Sequence, residues 1–205
     1  MNFDQLADQS SLDKTTSNLK TKGYHIVVVD TGDQALKKIK KLIPSGASIM
    51  NGSSVTLEQI GFVDLLKSDS HGWNDLHAQI TAENDAGKRA QLRRQSILSD
   101  YYLGSVHALV ESGEFIIASN TGSQLPHIVS TSPNLIFVVS TKKIVPDLDS
   151  AFKRLEQHVV PLEDQHMQDL YKIHTAKNKV LVFHGESPMT KRQIHFILVK
   201  QNLGF

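Results

Sequence analysis

Apolar residues in this chain fall into short unbroken runs, and stretches of helical period lie between them. The run Tyr24-His-Ile-Val-Val-Val29 is β-branched, continuous and closed by Asp30-Thr-Gly32. Such a run predicts a strand covered on both faces. Ala35, Leu36, Ile39, Leu42 and Ile43 then recur at helical spacing with lysines on the opposite face, until Pro44-Ser-Gly46 stops the helix. The cycle repeats with a strand over 47–50, a polar loop, and a helix over 56–67 that turns Leu57, Ile60, Val63 and Leu66 inward. Residues 68–80 are polar and irregular around the single tryptophan, Trp73, and a helix of about sixteen residues follows.

Farther along, 101–110 and 114–118 read as strands joined at Ser112-Gly113, and a short helix is expected around 122–130. Leu135-Ile-Phe-Val-Val139 is another fully apolar strand. Helices start at the acidic turn Asp147-Leu-Asp149 and at Pro161. Strands 180–183 and 194–199 close the chain. The first 23 residues carry only Phe3, Leu6, Leu12 and Leu19 as apolar points, which predicts a helical appendage that packs weakly; residues 24–205 form the main domain. Strands alternating with helices predict an α/β domain with a mostly parallel sheet. Antiparallel additions are expected from the 101–118 hairpin and the last two strands.

Composition narrows the function classes. The chain has 205 residues, enough for one self-sufficient core. Its 22 basic and 21 acidic residues give a net charge of +1, so nothing favours nucleic acid or a membrane surface. With no cysteine, disulfides, thiolate catalysis and cysteine-bound clusters are excluded within the chain. The polar start Met-Asn-Phe-Asp-Gln-Leu lacks a leader pattern and no apolar run has membrane-spanning length, so a cytoplasmic protein is expected. The ten histidines show no His-x-x-x-His spacing, and neither a metal nor an organic cofactor is expected.

Two polar loops could carry chemistry. Asn51-Gly-Ser-Ser-Val-Thr-Leu-Glu58 combines Gly52, whose backbone a ligand can approach, with the hydroxyls of Ser53, Ser54 and Thr56 at a helix start. That suits phosphate or carboxylate; equally, Thr56-Leu-Glu-Gln59 fits simple helix capping. The second segment runs from Glu111 through Gly113 to Asn120, Thr121, Gly122, Ser123 and Gln124. Glu111 could serve as nucleophile or general base, or be an exposed turn acid. Lys142 and Lys143 follow an apolar strand at the edge where open α/β sheets bind ligands, and His107 and His127 flank the second loop. Arg93 and Arg94 could meet an anion or face solvent.

Together these segments resemble the LUD (lactate-utilisation) domain family. Asn51-Gly-Ser-Ser-Val-Thr-Leu-Glu-Gln-Ile-Gly61 is similar to its Gly-x-Ser-x-Thr-Leu-x-x-x-Gly motif. Similar stretches are Ser99 to Phe115, Ser119-Asn-Thr-Gly-Ser-Gln-Leu-Pro126, Lys143-Ile-Val-Pro-Asp-Leu148 and Ile194 to Phe205. His107 and Val110 stand where that family carries asparagine and threonine. The resemblance implies a fold like ribose-5-phosphate isomerase, glucosamine-6-phosphate deaminase and the CoA transferases. It puts residues 52–56 in the place of the isomerases' phosphate loop, and Glu111-Ser-Gly113 in that of the CoA-transferase glutamate. It further implies an accessory role in oxidising lactate or a related organic acid. A small anionic metabolite is the expected ligand, and the position of Lys143 after its strand places it among the expected contacts. Two alternatives stay open: an isomerase or acyl/CoA transferase using Glu111, and a non-catalytic partner of an iron–sulfur protein. A homo-oligomer is compatible with either.

Overall fold

The structure is a computed structural model and describes residues 2–68 and 70–205. Met1 and Asp69, the latter inside the stretch read as irregular, lie outside the described residues. Helix α1 (Gln9–Thr21) leads to strand β1 (His25–Val29), helix α2 (Gly32–Leu42) and strand β2 (Ser48–Asn51). Helices α3 (Val55–Gln59) and α4 (Phe62–Lys67), strand β3 (Asn74–Asp75) and helices α5 (Leu76–Ala82) and α6 (Ala86–Gln95) follow. Then come strands β4 (Tyr101–Gly104), β5 (Ala108–Val110), β6 (Phe115–Ser119), β7 (Asn134–Ser140) and β8 (Ile144–Val145). Helices α7 (Leu148–Arg154) and α8 (Val160–Tyr171) and strands β9 (Lys179–Phe183) and β10 (Gln193–Val199) complete the chain.

A six-stranded sheet runs in the order β1-β10-β7-β4-β2-β3, every neighbouring pair parallel. A four-stranded sheet, β8-β5-β6-β9, packs beside it with both parallel and antiparallel pairs. The mostly parallel α/β architecture is therefore the one expected. Antiparallel pairing holds for β5, β6 and β9. It does not hold for 101–104 or 194–199: β4 and β10 are interior parallel strands of the large sheet.

The period of two along β7 explains the layering. Leu135, Phe137 and Val139 point into a core shared with α1 and the small sheet, while Ile136 and Val138 point into a second core under α2, α3 and α4. Phe115 is stacked on Phe183 with centroids 4.7 Å apart and meets Phe137 and Phe196 at 5.2 and 5.7 Å, joining the two sheets. A third cluster, including Ala108, Ile116, Ala151 and Leu155, fixes α7 on the outer face of the small sheet.

Several local expectations are corrected. The helix expected over 56–67 breaks at Gly61, whose φ of 77° is left-handed and costs glycine little. The irregular stretch and the sixteen-residue helix resolve into β3, α5 and α6. Trp73 is buried against Phe62 and donates from its ring nitrogen to the Ile43 carbonyl at 3.2 Å, a packing role. The helix near 122–130 is one π-helical turn, His127–Thr131. Helix α1 packs firmly: Leu12 and Leu19 are core residues, and Asp8 caps its first turn by accepting from the Ser11 N–H.

Candidate functional site

Strand β2 hands the chain outward to β3, whereas β4 hands it the other way, towards the small sheet and β7. Ligands of open α/β sheets bind beyond the carboxyl ends of strands at such a reversal. Here Asn51 pairs with Leu103, and the Gly52 N–H donates to the Leu103 carbonyl at 3.2 Å. The two chains then separate, and a cleft of about 490 Å³ opens between them. That is room for a small metabolite. Residues 52–56, 104–107, 118–121, 123 and 124 form its walls, with Lys143 from the turn after β7. Leu155, Val159, Glu163 and Met167 cover it from the α7–α8 side, and Gly204 and Phe205 from the last segment.

The helical cover is widened where it meets the cleft. Between α7 and α8 lies a π-helical turn, Leu155–Val159, and Pro161, which has no N–H to donate, follows one residue into α8. Nothing in α8 is fully buried, so it is a loosely held roof.

Close packing holds the two polar loops together. Tyr102, buried and stacked on His127 at 4.9 Å, donates its hydroxyl to Gln124 Oε1 at 3.2 Å; Gln124 in turn donates to the Ala118 carbonyl at 3.1 Å. A Cβ on Gly52 would lie 2.5 Å from the Tyr102 hydroxyl and 2.9 Å from Gln124 Oε1, so only glycine fits. In the second loop Ser119 Oγ accepts from the Gly122 N–H at 2.9 Å, and Thr121 donates to Ser123 at 3.2 Å. Asn120 Oδ1 accepts from Asn178 at 2.7 Å. Ser54 is spent on capping α3.

Lys143 forms the cleft floor. It is 4% exposed, and its Nζ donates to Thr56 Oγ1 and Ser105 Oγ, both at 3.1 Å. Burial, reinforced by the positive charges of Arg154 and Lys142, holds its pKa well below the ordinary lysine value. Arg154 is fully buried behind His107 and donates from Nη1 to the His107 carbonyl at 2.6 Å; its Nε and Nη2 have no partner among the described residues. His107 Nδ1 accepts from the Ala118 N–H at 3.1 Å, which leaves the ring proton on Nε2. Burial and the charges of Lys143 and Arg154 push its pKa down to about 3. Burial raises the pKa of Glu163 across the cleft. Lys142 pairs instead with Asp4 at 2.9 Å.

Of the sequence candidates, Gly52, Ser53, Ser54, Thr56, Asn120, Thr121, Ser123, Gln124 and Lys143 line one cleft. Gly122 shapes its loop with a φ of 85° and packs on Lys179. Glu111 and Gly113 are elsewhere. The cleft lies at the carboxyl end of β6, and the Glu111–Glu114 turn lies at the other end of that strand. Five residues at about 3.3 Å each separate them. Glu111 instead accepts from Lys14 at 2.7 Å, and its carbonyl accepts from Asn18 at 2.8 Å. The Lys14 hydrogen bond is the main cause of its lowered pKa. Glu111 is thus a docking point for α1 and lies outside this cleft. Arg93 and Arg94 are also absent from the cleft.

Ser105, Arg154, Glu163 and Gly204 went unrecognised in the sequence. Ser105 could have been found by asking which hydroxyls follow each parallel strand; Arg154 carries no such signal.

The family model described as LUD domain matches residues 12–199. The chain belongs to the LUD domain family. At the level of the family this relates it to lactate utilisation. Among solved structures, a DUF162 family protein from Deinococcus radiodurans is similar, with a TM-score of 0.57 at 11% identity. The similarity covers 95% of this chain and 99% of the other, and supports the fold. No curated protein matches the sequence significantly.

Proposed function

We propose that this LUD-domain protein binds a small anionic metabolite, a carboxylate or phosphate ester, in the β2/β4 cleft, and serves lactate or related organic-acid utilisation through that ligand. One observation carries the reading. Two buried basic side chains, Lys143 on the cleft floor and Arg154 behind it, have no carboxylate within salt-bridge distance among the described residues. They make the cleft electropositive, Arg154 as a fixed charge and Lys143 once a neighbouring anion favours its ammonium form. A bound anion would complete the site, with Ser53, Thr121 and Ser123 offering hydroxyls around it.

The test is a thermal-shift and calorimetric series with lactate, inorganic phosphate, a sugar phosphate and a CoA ester. A ligand at about 100 times its Kd should add about 2.7 kcal/mol of stability, and Lys143→Met should remove the effect. If no ligand class shifts the protein, the reading is wrong.

A further inference from the structure

We propose that Lys143 is an amine nucleophile that forms an imine with a small organic anion bearing an aldehyde or ketone carbonyl. The anionic character of that ligand rests on the reading above; the amine chemistry rests on separate observations. An uncharged amine has two N–H donors and one lone pair. Lys143 Nζ has two hydroxyl partners, Thr56 and Ser105, each at 3.1 Å, and no other partner among the described residues. In the uncharged form both hydrogens can be directed at these hydroxyls, which leaves the lone pair free. A lysine serving only as a structural cation would have a carboxylate beside it.

Access is provided by Gly204. A Cβ there would lie 3.0 Å from Nζ and overlap Thr56 Oγ1, so the absence of a side chain keeps the amine open beside the cleft. Desolvation and two cationic neighbours, Arg154 and Lys142, shift Lys143 towards the free amine, the usual way a lysine is made nucleophilic. Exposed lysines have no such environment.

The step balances without oxidant or reductant. The Nζ lone pair attacks the carbonyl carbon, and a C=N bond replaces C=O. The carbonyl oxygen leaves as water with the two amine hydrogens, which the Thr56 and Ser105 hydroxyls already contact and can relay. The hydroxyl-rich loop would hold the ligand's carboxylate or phosphate, with Arg154 behind the cleft wall adding positive potential. The smallest ligand of this class is a 2-oxo acid.

The experiment incubates the full chain with pyruvate or with dihydroxyacetone phosphate in the presence of cyanoborohydride, then maps the reduced adduct by mass spectrometry. Lys143 should be labelled roughly tenfold or more ahead of any exposed lysine, and Lys143→Met should lose that label. The chain has no cysteine, so Lys143→Cys can be alkylated with 2-bromoethylamine at one thiol, which should restore labelling. Absence of preferential labelling at Lys143 with both ligands overturns the proposal, even where lactate or phosphate stabilises the protein and anion binding stands. Labelling at Lys143 without stabilisation by any non-carbonyl anion would uphold the amine and refute the anion reading.

Discussion

Single atoms decide much of this site. Gly204 has a φ of 66°, a region that L side chains rarely adopt, and its Cα sits over the Thr56–Lys143 pair. Gly204→Ala should therefore cost about 1–3 kcal/mol in urea unfolding, from backbone strain and overpacking together. It should also weaken any ligand that Lys143 contacts; unchanged binding would show that the last segment is not part of the site. Glu111 makes the opposite case. Its partner Lys14 is 62% exposed, so the ion pair is worth at most about 1 kcal/mol. Glu111→Gln should lower stability by no more than that and leave ligand stabilisation intact. Because the Glu111 pKa is lowered in the fold, its contribution is present above the ordinary carboxylate range and disappears as pH falls through the lowered value. A wild-type-minus-mutant difference that grew above pH 6 would contradict this assignment.

Among the elements, α1 departs most from its sequence pattern. Its apolar points are sparse, yet Leu19 is fully buried in the core shared with β7 and the small sheet. Leu19→Ala should cost about 2–5 kcal/mol by denaturation, against less than about 1 for Lys14→Ala on its exposed face; equal, small effects would mean the helix frays. The strands were legible because burial on both faces leaves an unbroken apolar run, as in β7 and β10. Their order was not, because nothing local in Ile194–Val199 says that it inserts between β1 and β7. The cleft was half legible for a similar reason. Polar residues after β2 and after β6 drew attention to 52–56 and 119–124, which meet in one cleft. Sequence proximity put Glu111 beside them, although the length of β6 carries it to the other end of the sheet.

At the scale of the whole molecule, neutral histidines set the acid limit. His127 is 1% exposed, with Nδ1 3.0 Å from Ser132 Oγ, and burial pushes its pKa down to about 4. His107 falls to about 3 and His195 to about 4, from an ordinary 6.5, chiefly through burial. Each folded value is lower than the unfolded one, so below pH 6.5 the unfolded chain binds protons that the folded chain refuses. Stability is therefore full above pH 6.5 and falls with pH down to the folded values. A group that shifts completely contributes about 1.4 kcal/mol per pH unit in that window. His127 is sealed and should contribute fully; His107 and His195 are partly open and contribute less. The combined slope, about 2–4 kcal/mol per pH unit, would consume a typical domain stability of about 5–15 kcal/mol within a few units. Urea unfolding at pH 7, 6 and 5 should show this fall before most carboxylates titrate. His127→Asn keeps an acceptor towards Ser132 and removes the titrating ring, so its slope should be shallower by about 1.4 kcal/mol per pH unit. An identical slope in the mutant would mean that His127 takes up its proton in the fold as readily as in the unfolded chain, and that the stack on Tyr102 beneath the cleft carries a charge at pH 5.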